Sequence, residues 1–219
     1  MKAVLCDVDG TLVDSNALHA EAWQRAFAHF GISVTFDDLL HQIGKGGDHL
    51  LPVFLSKKDV NRFGKDLEQY RKNLFQAEYF DQVKPFPGSR QLLLKMKHAG
   101  LRVSIASSAS KEDLQRLKQI AQISDLVEEE TSSDDAKKSK PEGDIFQSTL
   151  NQLGVAAKEA LALGDTPWDV EAARKAGLAT VAVTSGGWSQ QDLRNAGALE
   201  VYRDVAQIAE QFEQSAFAR

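Results

Sequence analysis

Cysteine is almost absent from this sequence of 219 residues, which contains a single one, Cys6. One cysteine excludes an internal disulfide and any metal site built from several thiolates, which is compatible with a reducing compartment. Long apolar runs are also missing, because no stretch approaches the roughly 20 residues of a bilayer crossing. The sequence starts directly with a predicted strand, without a basic region followed by a cleavage site. We therefore expect a cytoplasmic protein with no membrane partner.

An excess of positive charge is missing as well, since 31 acidic residues outnumber 26 lysines and arginines and give a net charge of −5. This balance argues against a surface for nucleic acid or another polyanion. A phosphorylated substrate would instead need a few local cations and a metal. The remaining composition, 42% hydrophobic and 26% charged, is typical of globular proteins. The length allows one full domain with an insertion, or two small domains.

The most informative stretch is the beginning, where an apolar run from Ala3 to Cys6 leads into Asp7-Val8-Asp9-Gly10-Thr11. The run is short and is followed by turn-forming residues, which predicts a buried strand that ends in a loop. Side chains repeat every two residues in extended chain, so Asp7 and Asp9 lie on the same side. Two carboxylates this close are costly unless a cation lies between them or one keeps its proton. We therefore expect a divalent metal here, or a nucleophile beside an acid.

The rest of the chain divides into a helical part and an alternating part. Residues 15–83 predict helices only and end at a proline-bracketed hinge. From residue 89 onward, helices alternate with short apolar strands, which indicates a parallel sheet covered by helices on both faces. The predicted core strands are 3–6, 102–106, 126–129, 160–163, 179–183 and 200–202, and the polar run 128–140 is predicted to be a surface loop apart from its last residue. The predicted fold class is α/β: a Rossmann-like parallel sheet core (1–14 and 84–219) with an inserted all-helical cap (15–83).

Polar residues follow several of these strands, at the sheet edge where such folds bind ligands. The candidates are Ser107 and Ser108 after the second core strand, Lys140 before the next helix, and Asp165 and Asp169 after the fourth strand. Hydroxyl and backbone N–H groups at a helix start can hold anionic oxygens, and a lysine can offset their charge. Carboxylates supply the oxygen ligands that Mg²⁺ prefers. Together with the first aspartates, this set suits a metal-assisted reaction on a phosphate.

In their order along the chain, these stretches resemble the four motifs of the haloacid dehalogenase superfamily, in the branch of phosphoglycolate phosphatases and β-phosphoglucomutases. The resemblance implies an Mg²⁺-dependent phosphatase that hydrolyses small phosphomonoesters, such as sugar, polyol or glycolate phosphates, through an aspartyl-phosphate. The implied catalytic residues are Asp7 as nucleophile, Asp9 as general acid and then base, and Ser107 and Lys140. The implied phosphate ligands are Ser107, Ser108 and Lys140, and the implied metal ligands are Asp7, Asp9 through its carbonyl, Asp165 and Asp169.

Two residues of the predicted cap are further candidates. Lys45 lies in a glycine-rich loop that is flexible enough to reach the core, where the lysine could bind a second anionic group of the substrate. The same loop serves equally well as a plain connector between helices. His19 lies near the hinge on the first helix, where a histidine is more often a packing or surface residue.

Two other functions stay open at this stage. The stretch from Asp14 to Trp23 is similar to the corresponding part of β-phosphoglucomutases, which would convert a sugar phosphate into its isomer without releasing phosphate. Against this, such mutases tend to carry an acidic residue where this chain has Gly164. A receiver-like signalling module would store phosphate on Asp7, but it would need neither the acid Asp9 nor a cap of this size.

Overall fold

The structure is a computed structural model and describes residues 1–135 and 138–219. Its centre is a six-stranded sheet with the order β5-β4-β1-β6-β7-β8, in which all neighbouring strands are parallel. In chain order the strands are β1 (Ala3–Cys6), β2 (Val13–Asp14), β3 (Lys84–Pro85), β4 (Arg102–Ala106), β5 (Glu129–Thr131), β6 (Ala160–Gly164), β7 (Ala179–Val183) and β8 (Glu200–Tyr202). Two of them, β2 and β3, form a separate antiparallel pair.

Helices cover both faces of the sheet. In β1, Val4 and Cys6 belong to one hydrophobic cluster and Ala3 and Leu5 to the cluster on the opposite face. All four residues are fully buried, as expected for a strand with helices on both sides. The helices are α1 (Asn16–His29), α2 (Phe36–Leu40), α3 (Gly47–Phe54), α4 (Lys57–Leu74), α5 (Ser89–His98), α6 (Lys111–Ile120), α7 (Asp144–Leu153), α8 (Pro167–Lys175), α9 (Gln190–Ala196) and α10 (Val205–Glu210). The predicted α/β fold with a parallel core is confirmed.

The first four helices form the predicted cap. They share a hydrophobic cluster of their own, which includes Trp23, Phe27 and Leu50. The α4 helix continues into a π-helical turn over Phe75–Tyr79, which packs against the cluster of the core. In the two-stranded ribbon, β2 and β3 place the chain entering and the chain leaving the cap side by side. We propose that this ribbon marks the boundary between core and cap.

One strand lies later than predicted. The sequence predicts it at 126–129, whereas β5 comprises Glu129–Thr131 and pairs with the end of β4. Leu126 is buried in the core before the strand begins, so its apolar character reflects packing rather than strand pairing. The predicted surface loop 128–140 contains residues 136 and 137, which lie outside the described residues. Among the helices that the structure describes, none is both long and apolar enough for a bilayer crossing.

Candidate active site

Three buried carboxylates meet at the carboxyl ends of two adjacent central strands. Asp7 directly follows β1, and its backbone N–H donates to the carbonyl of Leu163 in β6 at 2.8 Å. Asp165 directly follows β6, and Asp169 lies in the first turn of α8. One carboxylate oxygen from each of Asp7, Asp165 and Asp169 lies within 4.8 Å of the others. The chain therefore brings together three acids that lie up to 162 positions apart, close enough to bind one cation.

Lys140 provides the positive charge within this group. Its side chain is fully buried, and its Nζ lies 2.5 Å from Asp7 Oδ1 and 2.7 Å from Asp169 Oδ1. The ammonium group thus links Asp7, which follows β1, to Asp169 in α8. A buried lysine in this position offsets part of the repulsion between the carboxylates.

Local sequence fixes the orientation of Asp169. Thr166 caps the N-terminus of α8, with Pro167 at the first helical position, and its hydroxyl accepts from the backbone N–H of Asp169. In return, Asp169 Oδ2 accepts from the Thr166 hydroxyl at 2.6 Å and from its N–H at 3.0 Å. This capping box leaves Oδ1 of Asp169 facing Lys140.

Asp165 is held by residues from the first loop and from the start of the cap. Its Oδ1 accepts from the Thr11 hydroxyl at 2.9 Å, and its Oδ2 accepts from Asn16 Nδ2 at 2.9 Å. Two glycines allow the carboxylate to approach the backbone closely. A Cβ atom added at Gly186 would lie 1.6 Å from Asp165 Oδ2, and one added at Gly10 would lie 2.3 Å away.

The electrostatics of the group favour a bound cation. Burial raises the pKa of Asp7 to about 7, although the charge of Lys140 opposes the shift. Burial and the nearby charges of Asp169 and Asp7 raise the pKa of Asp165 well above its usual range. Burial alone would lower the pKa of Lys140, but the charges of Asp169 and Asp7 outweigh it and raise this pKa. Carboxylate oxygens that repel one another in this way are a suitable donor set for a hard divalent cation.

Asp9 points to a different set of partners. Its Oδ1 accepts from the Ser15 hydroxyl at 2.6 Å and lies 3.2 Å from His19 Nε2, on the first turn of the cap. The ring of His19 stacks on Phe75 with centroids 3.9 Å apart. Burial alone would raise the pKa of Asp9, but the charge of His19 and the hydrogen bonds from His19 and Ser15 lower it. This carboxylate therefore lies outside the three-acid group, and its role in proton transfer stays a prediction.

The two predicted serines have different surroundings. Ser107 is fully buried, and its hydroxyl oxygen accepts from the N–H of Ala109 at 3.1 Å. Its own N–H donates to the carbonyl of Thr131, so the hydroxyl is the group that remains for a ligand. Ser108 lines the cavity below the cap and donates to the carbonyl of Gly44 at 3.3 Å.

Lys45 lines the same cavity, but its ammonium group has partners within the protein. Its Nζ donates to Gln42 Oε1 at 2.6 Å and lies 3.8 Å from the ring centroid of Trp168 in α8. The loop that carries it therefore contacts the core, as the sequence suggested, and binding of a substrate anion by Lys45 stays a prediction.

A cavity of about 620 Å³ lies between the cap and the core. Asp7 and Asp9 form its floor on the core side, and the cap contributes Trp23, Phe75 and Arg71. Sequence analysis did not identify Arg71, because nothing local distinguishes it from the other basic residues of α4. Thr11 and Asn16 were likewise not predicted as supports of Asp165, since their contacts depend on how distant segments pack.

Comparison with known proteins identifies the family. The sequence-family model of the haloacid dehalogenase-like hydrolases matches residues 4–183 of the chain. This range contains Asp7, Asp9, Asp165 and Asp169. The chain belongs to this family. It is therefore a hydrolase, and the family predicted from the sequence is confirmed.

Individual relatives support the same branch. Over 216 residues the chain is 32% identical to the chloroplastic protein SUPPRESSOR OF QUENCHING 1 of Arabidopsis thaliana. The matched region covers 95% of this chain but only 20% of that longer protein. It is 27% identical over 218 residues to the phosphoglycolate phosphatase of Rhodospirillum rubrum, covering 95% and 90% of the two chains. A solved structure, a candidate β-phosphoglucomutase from Bacteroides vulgatus, has a TM-score of 0.87 at 25% identity and covers 100% of this chain and 91% of its own.

Proposed function

We propose that this protein is an Mg²⁺-dependent phosphatase that hydrolyses small phosphomonoesters through a phosphoryl group transferred to Asp7. The observation that carries the proposal is the pairing of two differently held aspartates two residues apart. Asp7 lies among buried acids against Lys140, whereas Asp9 faces the cavity beside His19. This difference supports Asp7 as the nucleophile and Asp9 as the group that transfers the proton.

In the first step, an oxygen lone pair of Asp7 attacks phosphorus and the bond from phosphorus to the ester oxygen breaks. Oδ1 of Asp7 accepts from Lys140, while Oδ2 has only a long contact of 3.4 Å with the Thr11 hydroxyl and is the freer oxygen. Asp9 gives its proton to the departing alkoxide. The pKa of Asp9 is low without substrate, and an arriving phosphate dianion would raise it, which favours the protonated form in the complex.

In the second step, Asp9, now a carboxylate, takes a proton from a water molecule whose oxygen attacks the phosphorus of the aspartyl-phosphate. The bond between phosphorus and Asp7 breaks, phosphate leaves, and the carboxylate of Asp7 is restored. His19 holds Asp9 in position for both transfers. The hydroxyl of Ser107 and the ammonium group of Lys140 are proposed to bind the phosphoryl oxygens.

The three-acid group fits a divalent cation, because its donors are hard oxygen atoms that repel one another and are fixed by hydrogen bonds. Asp7 and Asp165 would hold the ion with the carbonyl of Asp9, and Asp169 would support it directly or through water. When bound, the ion would neutralise phosphoryl oxygens and orient them for in-line attack.

The test is a panel of sugar, polyol and glycolate phosphates assayed with Mg²⁺ for both free phosphate and isomer formation. We expect phosphate release from several esters and its loss in Asp7→Asn. The matched control is Asp14→Asn, which changes an exposed aspartate at the end of β2 and should retain turnover. Failure of every ester to release phosphate, or turnover in Asp7→Asn equal to the unchanged protein, would contradict the proposal.

A sugar phosphomutase is the second candidate, supported by the similarity to the Bacteroides vulgatus structure. Position 164 argues against it, because a Cβ atom added at Gly164 would lie 2.5 Å from the Cβ of Asp169. An acidic residue at this position would require Asp169 or the neighbouring backbone to shift. Isomer formation without phosphate release in the same panel would favour the mutase over the phosphatase.

A further inference from the structure

Arg71 is one of several charged residues that line the cavity and that the proposed chemistry does not use. It lies in the last turn of α4, lines the cavity, and its guanidinium carbon lies 4.8 Å from the ring centroid of Trp23. Its Nε is buried and has no hydrogen-bond partner among residues 1–135 and 138–219. A buried donor without a partner is costly, so such a group in a cavity wall indicates a ligand.

The acidic neighbours of Arg71 are Glu68, Asp113 and Asp9, and two of them, Asp113 and Asp9, form hydrogen bonds with other residues. Glu68 lies against the start of α3, where a Cβ atom added at Gly47 would lie 2.3 Å from its Oε1. Helix N-termini favour such a negative charge. The third neighbour, Asp9, is held by Ser15 and His19 as described. Neither acid therefore provides Arg71 with the planar pair of oxygens that a guanidinium group binds best.

Asp113, on the core helix α6, is occupied in the same way. Its Oδ1 accepts from Gln76 Nε2 at 2.8 Å, and its Oδ2 accepts from the Ser110 hydroxyl at 2.9 Å. Burial lowers the pKa of Arg71, while the charges of Glu68, Asp113 and Asp9 oppose that shift and favour the charged form. An arginine side chain stays protonated in proteins, so the guanidinium group is a cation that lines the cavity and packs on Trp23.

We propose that Arg71 determines substrate specificity by binding a second oxyanion, a carboxylate or a phosphate, on the leaving group of the phosphoester. The proposal rests on the phosphatase function proposed above and adds the class of substrate. With the transferred phosphoryl group at Asp7, the rest of the substrate would extend into the cavity, which Arg71 lines from the cap. Arginine suits this role because its planar guanidinium group forms two parallel hydrogen bonds to one carboxylate or phosphate.

The experiment compares three substrates and two variants by kcat/KM with Mg²⁺. Phosphoglycolate carries a carboxylate, ethylene glycol bisphosphate carries a second phosphate, and 2-hydroxyethyl phosphate is a neutral-ended ester of similar size to phosphoglycolate. We expect the unchanged protein to prefer one of the two oxyanion substrates over 2-hydroxyethyl phosphate. Arg71→Gln should reduce that preference by roughly 10- to 100-fold, the effect of losing charged hydrogen bonds.

The control is Arg62→Gln, which changes an exposed arginine of the same helix outside the cavity. It should leave the preference unchanged. Because Arg71 packs on Trp23, the variant Arg71→Lys, which keeps the charge and the stem, is measured as well. It should retain the fold and lose an intermediate part of the preference. Inhibition by free glycolate gives a second readout, and its inhibition constant should rise in Arg71→Gln.

The outcomes separate this inference from the proposed function. An equal loss of kcat/KM for all three substrates in Arg71→Gln, or no preference for an oxyanion in the unchanged protein, would overturn the role of Arg71 while leaving the phosphatase intact. Failure to release phosphate from all three would overturn both. The preferred oxyanion substrate identifies whether a carboxylate or a phosphate binds at Arg71.

Discussion

Removing the charge of Lys140 should destabilise the metal-free protein in a way that depends on pH. Lys140 is fully buried between Asp7 and Asp169, with Nζ to oxygen distances of 2.5 Å and 2.7 Å. Lys140→Met keeps a side chain of similar length but leaves these carboxylates without their cation. Breaking a buried ion pair by removing one partner costs about 3–5 kcal/mol. We expect a loss of this size in the free energy of unfolding at pH 8.

The pH dependence follows from the carboxyl groups. The pKa of Asp7 is raised from 3.8 to about 7 in the folded protein, so the folded state binds this proton more tightly than the unfolded chain. The stability linked to this proton is therefore complete below about pH 4 and is lost as the pH rises through about 7. Without Lys140 the pKa of Asp7 would rise further, so the variant should recover much of its stability at pH 5.

Urea denaturation in EDTA at pH 8 and at pH 5 measures both effects. The control is Lys138→Met, which removes an exposed charge two residues away and should change the free energy of unfolding by less than about 0.5 kcal/mol. A loss for Lys140→Met below about 1 kcal/mol at pH 8, or an equal loss at both pH values, would refute the electrostatic reasoning.

Three further predictions concern the neighbours of this group. Asp9→Asn should lower kcat/KM, which reports the first step, by about 10²–10⁴-fold for an alkyl phosphate and much less for an aryl phosphate whose leaving group needs no proton; equal losses of kcat/KM on both would contradict the role of Asp9 as acid. His19→Phe keeps the stacking but removes the group that lowers the pKa of Asp9, so the alkaline limb of the pH profile of kcat/KM, where the acid loses its proton, should move to higher pH; an unmoved limb would count against this contact. Gly186→Ala places a Cβ atom 1.6 Å from Asp165 Oδ2, so the Mg²⁺ concentration for half-maximal activity should rise. Urea denaturation should detect a loss of about 1–3 kcal/mol in the free energy of unfolding. An unchanged Mg²⁺ dependence would contradict the placement of Asp165.

The acidic group could be predicted from the sequence because parallel strands end at one edge of the sheet. Asp7 and Asp165 each follow a short buried strand, and the pairing of β1 with β6 brings those ends together. Asp169 could be placed because it lies in a capping box that the local sequence specifies. Lys140 lies in a loop, where no periodicity fixes a position, so its prediction depended on the neighbouring Pro141 before the next helix and on the resemblance to the family motif.

The cavity wall could not be predicted in the same way. His19 and Arg71 lie on amphipathic helices with several polar residues, and which of them faces the site depends on how the cap packs against the core. Asn16 reaches Asp165 across 149 positions of sequence, a contact that no local pattern indicates. The predicted strand at 126–129 failed for a related reason, because the register of β5 is set by its pairing with β4.

The most direct test of the account is to trap the phosphoryl group on the protein. The protein is mixed with Mg²⁺ and a radiolabelled phosphoester from the panel, quenched in acid within a single turnover, and digested for peptide mapping. We expect acid-stable, alkali-labile label on the peptide that contains Asp7, with more label in Asp9→Asn because that variant lacks the base for the second step. Phosphate release with no labelled protein at any quench time, or label on a different residue, would contradict it.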